Sequence, residues 1–395
     1  MSTTETSLDH QLADFDLFDD TCFARMNEVM EHARSTCPVA HTRAHGGMYL
    51  VTTFPLLKEV LSNPEVYSST ESTPLPSPVR LPPLDVDPPL HEDFRKFLNP
   101  FFTRPHLMKY EPVLRDLART AIEKFLDKGQ VDFIDDFAIP FTSSAAAKIV
   151  FDEDDPSRLQ RAVKAVERIV RENSPESYQG LAVLAAEYLA ERAETVDDGS
   201  IISAIASATV DGRALTMEEQ IGVVTVLFIG GLDTTRGAIS NIAATLAHEP
   251  DLEHRLRQKN WVKNDLDELL RQQSPVLALR RIVMRDVVLG DQQLTKGDIL
   301  MLMYSSANRD AEHFPGADIL DFDRKDKNHL AFGHGTHRCL GATFARMQID
   351  IAFDELLGRI TNVRPSGPDA GPIYQAGAVY APTRLVLAFD RVDNP

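Results

Sequence analysis

The sequence has few cysteines, a deficit of basic residues and no apolar N-terminus. Three cysteines in 395 residues argue against a disulfide framework and fit a reducing compartment, where Cys22 and Cys37 are expected to be structural. Lysine and arginine total 41 against 59 acidic residues, and the net charge of -18 disfavours binding to nucleic acid or to anionic membranes. Residues 1–20 are polar and acidic, with neither a signal-peptide core nor a membrane anchor of about 20 apolar residues. We therefore expect a cytoplasmic protein without a nucleic-acid partner or a membrane anchor.

The rest of the composition is that of a folded chain. Residues 1–395 are 43% hydrophobic, enough for a large core, and we expect them to form a single domain. Their periodicity predicts a mainly α fold with small β regions, an α+β protein. Strands are predicted at Val39–Arg43 and Met48–Thr52, which form a hairpin, and at Ile282–Leu289, Ile299–Tyr304 and Thr383–Phe389. Seven prolines between Pro74 and Pro89 predict a loop packed over the functional site, with a linker as the alternative.

A glycine-rich loop around one cysteine is the most informative stretch, with the sequence Phe332-Gly333-His334-Gly335-Thr336-His337-Arg338-Cys339-Leu340-Gly341. Apolar residues follow at helical spacing and predict a helix after the loop: Leu340, Phe344, Met347 and Ile351. A thiolate at a helix N-terminus is stabilised by unpaired backbone N–H groups, which favours metal ligation. Glycines let the backbone lie flat against a broad planar group. The alternatives are a buried core thiol and a zinc site of His334, His337 and Cys339, which lacks the usual second cysteine pair.

The pattern F-G-x-G-x-H-x-C-x-G resembles the haem-binding loop of the cytochrome P450 family. The resemblance implies the cytochrome P450 fold, a triangular helical body with a long central helix over the haem. It implies haem b as the cofactor and Cys339 as the axial thiolate that ligates its iron. It also implies that further loop residues contact the haem, namely Phe332, Gly333, Gly335, His337 and Gly341.

A long apolar helix is predicted from residue 217 to about residue 248. It begins with a capping box of Thr216 and Glu219 and is stopped by Pro250. In its middle, two adjacent glycines cost about 2 kcal/mol relative to alanines and precede an aspartate in apolar surroundings. A helix-packing contact with a solvent-facing aspartate is the simplest interpretation, and it assigns these residues no function.

This stretch, Gly230-Gly231-Leu232-Asp233-Thr234, is similar to the oxygen-activation motif of the same family. The resemblance implies that Gly230 and Gly231 form a groove for O2, the co-substrate. It makes Asp233 the proton-delivery acid and Thr234 the hydroxyl that steadies dioxygen. Cleavage of the O–O bond consumes protons, which a hydroxyl and ordered water carry from a buried carboxylate.

Three charged residues are expected to support the fold. Glu268 and Arg271 lie i, i+3 on a short helix that ends before Ser274, and as a surface pair they would contribute only a few tenths of a kcal/mol. The resemblance makes this E-x-x-R spacing the structural signature of the family, with Arg324 supplied by the neighbouring segment.

Haem propionates need cationic or hydrogen-bonding partners where they are partly buried. By resemblance, the candidates are His91 and Arg95 on one short helix, Arg281 in a strand, and His329 just before the cysteine loop. The neighbouring Arg280 leaves the register of Arg281 open.

The substrate pocket implied by the resemblance is mainly apolar and includes Leu227, Phe228, Val276, Leu277, Leu279 and Val379. Such a lining suits a lipophilic substrate held by burial at about 25 cal/mol per Å². Because Gly-Gly-Leu-Asp-Thr is like the motif of bacterial terpenoid hydroxylases, a small terpenoid is the first expectation, with fatty acids and aromatic acids open. Arg80 is either a partner for a substrate carboxylate or a solvated loop arginine.

We therefore expect a monomeric haem-thiolate monooxygenase that inserts one atom of O2 into a lipophilic substrate. Two electrons would come from a ferredoxin and its NAD(P)H-dependent reductase, docked at a basic patch of Arg338, Lys96, Arg104 and Arg346. One alternative is a peroxide-driven peroxygenase, which the retained Asp233 and Thr234 disfavour. The other is a non-catalytic haem protein that senses or carries a ligand.

Overall fold

The fold is known from a computed structural model of the chain. It describes residues 7–77, 79–151, 155–158, 160–161, 164–165, 168, 175–193, 198–258, 261 and 265–392. The α-helices span Leu8–Ala13, Asp20–Ala24, Met26–Thr36, Phe54–Ser62, Leu90–Leu98, Arg104–Leu107, Glu111–Glu123, Ile139–Phe151, Pro175–Ala193, Ile201–Ser207, Met217–His248, Pro250–Leu256, Leu266–Gln273, Tyr304–Ala307 and Ala342–Leu357. The strands span Val39–Thr42, Met48–Val51, Tyr67–Ser68, Gln130–Asp132, Thr209–Val210, Arg213–Ala214, Ala278–Val283, Val287–Leu289, Gln292–Leu294, Ile299–Met303, Ile360–Pro365, Ile373–Tyr374, Pro382–Arg384 and Val386–Arg391. The predicted mainly α fold with small β regions is confirmed.

The chain divides into two compact units, and the expectation of one domain stays a prediction. The first unit takes Met1–Pro76, Asn264–Cys339 and Gln375–Tyr380. Its five-stranded sheet has the order Val39–Thr42, Met48–Val51, Ile299–Met303, Ala278–Val283, Tyr67–Ser68. The central strand alternates its side chains: Leu300 and Leu302 pack into one apolar cluster, and Met301 and Met303 into another. Since strand side chains point alternately to opposite faces, both faces of this sheet are covered.

The second unit takes Ser77–Lys263, Leu340–Tyr374 and Ala381–Pro395. Its main element is the helix Met217–His248, which has the predicted bounds. The capping box is formed: the Glu219 N–H donates to Thr216 Oγ1 at 3.2 Å, and the Thr216 N–H donates to Glu219 Oε2 at 2.8 Å. This helix is long and apolar enough to cross a membrane, but 61% of its most apolar window is buried inside the protein, as in a core helix.

Two predicted strands are wrong as single elements. Residues 282–289 belong to two strands, Ala278–Val283 and Val287–Leu289, because Asp286 caps a turn by accepting the Lys296 N–H at 2.9 Å. Residues 383–389 are divided at Leu385, where the chain passes from a two-stranded sheet to a three-stranded one. The break at Leu385 depends on a partner far along the chain, since the Phe133 N–H donates to the Leu385 carbonyl at 2.8 Å, and β propensity does not register such a partner.

Candidate functional site

The Cys339 loop lies in the first unit and closes on itself. The Cys339 N–H donates to the Phe332 carbonyl at 2.8 Å, and Cys339 is exposed and forms no disulfide. Gly333 and Gly335 have φ angles of +68° and +66°, which side chains disfavour. A Cβ at Gly335 would also collide with the Leu61 carbonyl. The loop therefore needs glycine at both positions, and it presents the thiol at the surface of this unit.

Asn308 holds the start of this loop, and sequence reasoning missed it. Its Oδ1 accepts the Leu330 N–H at 2.7 Å, and its Nδ2 donates to Ser274 Oγ at 2.8 Å. Its carbonyl accepts a hydrogen bond from Arg271 Nη1 at 2.7 Å. No periodicity marks Asn308 in the sequence, because its partners come from distant segments.

Glu268, Arg271 and Arg324 form a buried ionic cluster, as predicted for structural residues. Glu268 and Arg271 have fully buried side chains joined by two hydrogen bonds of 2.8 Å. Arg324 Nε donates to Glu268 Oε2 at 3.1 Å. Burial opposes ionisation of Glu268, but the Arg271 hydrogen bond, the Asp321 N–H and the two guanidinium charges hold its pKa below the usual value. Removal of one member would leave a buried charge without its partner.

His329 is held by the protein on both ring nitrogens. Its Nδ1 accepts the Ala331 N–H at 3.0 Å, so the proton must lie on Nε2, which donates to Asp267 Oδ1 at 3.1 Å. This arrangement fixes the tautomer and braces the segment that leads into the cysteine loop.

Arg280 and Arg281 are neighbours in the strand Ala278–Val283, and their side chains have different hydrogen-bond partners. Arg280 Nη2 donates to Glu71 Oε2 at 3.0 Å, and burial lowers the pKa of Arg280. Arg281 is also buried, and its Nη1 donates to the Arg280 carbonyl at 2.6 Å. Arg280 therefore has a carboxylate partner, and the assignment of Arg281 to a propionate stays a prediction.

His91 and Arg95 lie one turn apart on the helix Leu90–Leu98 of the second unit. His91 is buried, with 2% of its surface exposed. Burial, together with the Arg95 charge, lowers the pKa of His91 to about 4, so its imidazole is neutral at pH 7. A carboxylate bound beside both side chains would oppose this effect.

The middle of the helix Met217–His248 carries the other predicted residues. Gly230 is exposed within a mostly buried helix, and a Cβ there would meet nothing within 4 Å. A Cβ at Gly231 would contact the Ala146 side chain at 3.8 Å. Thr234 Oγ1 donates to the Gly230 carbonyl at 2.7 Å. Asp233 is buried and accepts hydrogen bonds from Arg236, a residue to which sequence reasoning gave no role.

The predicted pocket residues fall into both units. In the second unit Leu227 is half-buried and Phe228 buried; in the first, Leu277 is buried, Leu279 is half-buried, and Val276 forms a β-bridge with Val379. The second unit also holds a cavity of about 260 Å³ whose lining includes Val79, Arg80, Tyr178, Ile221, Gly222 and Thr225. None of the six predicted pocket residues lines it. Gly222 allows the Arg80 carbonyl to approach the long helix closely.

The alternative of a zinc site gains no support from the part of the chain that the structure describes. Among the residues that the structure describes, no group of three or more histidine, cysteine or acidic side chains is arranged to hold a metal ion. This includes His334, His337 and Cys339, the set considered for zinc.

Comparison with known proteins gives consistent matches. A family model described as Cytochrome P450 matches residues 260–362. The chain is 31% identical over 294 residues to linalool 8-monooxygenase of Pseudomonas putida, covering 71% of each chain. It is 30% identical over 372 residues to cytochrome P450 107B1 of Saccharopolyspora erythraea, covering 88% of this chain and 89% of the relative. Among solved structures, cytochrome P450 CYP109Q5 of Chondromyces apiculatus matches with a TM-score of 0.85 at 25% identity, covering 96% of this chain and 99% of that one.

Proposed function

This chain belongs to the cytochrome P450 family, and from that premise we propose that it hydroxylates a small lipophilic substrate, a terpenoid first of all, with electrons from a ferredoxin. It is a cytochrome P450 monooxygenase, with haem b as cofactor and O2 as co-substrate. Bacterial members of the family take electrons from redox partners. The observation that carries the proposal is the exposed Cys339 thiol in a loop with two glycines of positive φ.

The residues of this chain fit the haem. Cys339 presents an exposed thiol that forms no disulfide, and Gly333 and Gly335, both with positive φ, add no side chain beside it. Buried or half-buried basic groups for propionates are present in both units: His91, Arg95 and Arg281. The space beside Gly230 is open on an otherwise buried helix. A thiol, a flat glycine surface and basic side chains are the donor set that haem-thiolate ligation requires.

Each residue then has a proposed role toward the cofactor. Cys339 ligates the iron through its thiolate, with Phe332, Gly333, Gly335, His337 and Gly341 as the surrounding haem-contact residues. His91, Arg95 and Arg281 bind propionates. His329 belongs to this set by resemblance, although it would have to exchange Asp267 or Ala331 for a propionate. Glu268, Arg271 and Arg324 keep the core beneath the loop in place. When bound, the haem supplies dioxygen activation and the transfer of one oxygen atom.

The long helix supplies protons in this proposal. The Thr234 hydroxyl donates its own proton to the Gly230 carbonyl, so its oxygen lone pairs are free to accept a hydrogen bond from water or from reduced dioxygen. Asp233 is the buried carboxylate that takes up solvent protons and passes them on. Gly230 and Gly231 leave room for dioxygen beside the helix.

The proposed substrate class is supported by size, lining and relationship. The cavity of about 260 Å³ is slightly smaller than typical ligand pockets, which span about 300 to 1,000 Å³. Its apolar lining by Val79, Ala182 and Ile221, beside the polar Arg80 and Glu218, favours a compact molecule. Linalool, named in one relative, is a monoterpene alcohol of that kind. We place Leu227, Phe228, Val276, Leu277, Leu279 and Val379 along the path or pocket of this substrate, and we propose a cytoplasmic, monomeric enzyme.

Spectroscopy tests the ligation directly. The purified protein, reconstituted with hemin, is expected to bind haem and to give a ferrous carbonyl complex with the red-shifted absorption of thiolate ligation. Cys339→Ser should lose that band, and Cys37→Ser, which removes another exposed thiol, should keep it. A globin-like carbonyl spectrum in the unmutated protein would refute the proposal.

Substrate class is tested by titration of the ferric protein with linalool, limonene, testosterone and palmitate. Displacement of water from the haem iron changes its spin state and therefore its spectrum. A terpene should give the largest change at the lowest concentration. Preference for palmitate would replace terpenoids by fatty acids in the proposal.

A further inference from the structure

A buried ion pair adjoins the proposed proton-delivery acid. Arg236 Nε donates to Asp233 Oδ1 at 3.0 Å, and Arg236 Nη2 donates to the same oxygen. Only 14% of the Arg236 side chain and 8% of the Asp233 side chain are exposed. At this burial an ion pair is screened little by water, so the two hydrogen bonds from the arginine fix the orientation of the carboxylate.

Both hydrogen bonds from Arg236 reach a single carboxylate oxygen. Asp233 Oδ2 receives neither of them, so one oxygen is fixed and the other is left to accept a proton. A carboxylate held in this way is oriented without losing its capacity to act as an acid and base.

Arg236 is itself held from outside the helix. Its Nη1 donates to the Pro382 carbonyl at 3.3 Å, at the start of the strand Pro382–Arg384, which pairs with Ile373–Tyr374. The Tyr374 hydroxyl donates to Asn241 Oδ1 at 3.1 Å, so this hairpin meets the long helix at two places. The guanidinium therefore cannot turn freely, and the orientation of Asp233 is set by the hairpin as well as by its own helix.

We propose that Arg236 is the positioning residue for Asp233 in proton delivery. It keeps the carboxylate in one orientation between turnovers. In each proton transfer a proton from solvent water binds Asp233 and then leaves toward the Thr234 side of the helix, which regenerates the carboxylate while Arg236 keeps its charge. This inference rests on the proposed function, because it assumes that Asp233 relays protons.

A double-mutant cycle tests the inference in the holoenzyme. The variants are Asp233→Asn, Arg236→Gln and their combination, assayed with a bacterial ferredoxin, its reductase and the terpene that gives the largest spin-state change. Arg236→Gln should slow turnover by about tenfold and enlarge the solvent isotope effect. In the Asp233→Asn background it should slow turnover by less than about twofold. Arg236→Lys, which keeps the charge but offers a single donor group, should restore part of the rate.

A control variant and a stability measurement distinguish a positioning role of Arg236 from a merely structural one. Arg213→Gln breaks an exposed ion pair with Glu219 at the start of the same helix and should leave turnover and isotope effect unchanged. Urea unfolding of the four cycle variants should be non-additive, with a coupling of about tenfold in the unfolding equilibrium constant. If Arg236→Gln does not fold, the same comparison is made with Arg236→Lys.

The two proposals fail in different ways. If Asp233→Asn turns over at the unmutated rate, the proton role of Asp233 is wrong, and the inference on Arg236 falls with it. If Asp233→Asn is slow but Arg236→Gln is not, or if their rate effects multiply in the double variant, only the inference on Arg236 is overturned.

Discussion

Thr234 illustrates how one hydrogen bond sets the role of a side chain. Its hydroxyl proton is donated to the Gly230 carbonyl, so in the proposed function its oxygen would accept a hydrogen bond rather than act as a base. We predict that Thr234→Ala keeps NAD(P)H consumption but diverts more than about half of it to hydrogen peroxide, because protons reach reduced dioxygen without control. Peroxide and product are measured per NAD(P)H consumed. Thr234→Ser retains the hydroxyl and should stay coupled; equal uncoupling in both variants would contradict this role.

Glu268 is a fully buried carboxylate shared by two arginines. Glu268→Gln leaves Arg271 and Arg324 buried without their carboxylate and should lower the free energy of unfolding by about 3–5 kcal/mol. Glu28→Gln removes an exposed carboxylate paired with Arg25 and should cost less than about 1 kcal/mol. Urea unfolding of the haem-loaded protein measures both. If the two variants lose similar amounts of unfolding free energy, burial of the Glu268 cluster contributes no extra stability.

The same residue predicts a pH dependence. The folded-state pKa of Glu268 is lowered, so its contribution to stability is present above the ordinary glutamate value of about 4.3 and is lost as pH falls through the folded-state pKa. The difference in unfolding free energy between the unmutated protein and Glu268→Gln should therefore be constant near neutral pH and narrow below about pH 4. A difference that does not change down to the acid limit of folding would contradict the assignment.

At the scale of elements, Gly222 lets the proline-rich segment pack closely against the helix Met217–His248. A Cβ at Gly222 would collide with the Arg80 carbonyl and lie 2.9 Å from the Pro82 ring. Gly222→Ala should therefore displace this segment, weaken terpene binding by about tenfold in a spin-state titration, and destabilise the protein despite alanine's helix propensity. Gly180→Ala, where the new Cβ would make an ordinary contact of 3.8 Å, should instead stabilise by up to about 1 kcal/mol. If both substitutions stabilise the protein, the proline-rich segment moves away from Gly222 at little cost and the prediction is wrong.

Elements also differ in how far local sequence predicts them. The helix Met217–His248 has the predicted bounds because its capping box and the following Pro250 act within a few residues. The strand predictions at 282–289 and 383–389 failed because each run is divided by a hydrogen bond to another segment, from the Lys296 N–H to Asp286 and from the Phe133 N–H to the Leu385 carbonyl. Helix ends are decided locally, whereas strand ends depend on which partner the chain meets.

At the scale of the whole molecule, charge should govern the approach of the redox partner. A net charge of -18 repels an acidic ferredoxin unless a basic patch offsets it locally. We predict that Lys96→Glu with Arg338→Glu slows reduction by ferredoxin about tenfold at low salt, and that the difference fades as salt shortens the screening length. Arg391→Glu, at an exposed arginine paired with Asp127, should have little effect. An unchanged salt dependence in the double variant would remove the docking proposal.

The candidate site could be predicted where its residues are close in sequence. Cys339 with its glycines, Asp233 with Thr234, and Glu268 with Arg271 each lie within one short motif, so the resemblance of each motif to those of the family pointed to them. Asn308 escaped prediction because its partner is distant: Leu330 lies 22 residues after Asn308. Arg236 lies close to Asp233 in sequence but outside the motif, and its burial and its hydrogen bond to the Pro382 carbonyl are visible only in the fold. The cavity beside Gly222 escaped because its walls come from three separate segments.

The sequence by itself determined the chemistry of this protein: a lone thiol among glycines, an acid and an alcohol after a glycine pair, and the family to which they belong. Side-chain identity and spacing over three to ten residues carry that information. Only the tertiary structure decided which polar groups are already committed to partners, such as Arg280 to Glu71, His329 to Asp267 and Arg236 to the Pro382 carbonyl. Those pairings join segments that are tens or hundreds of residues apart in sequence. A buried charged group needs a partner, and only the folded chain brings that partner close.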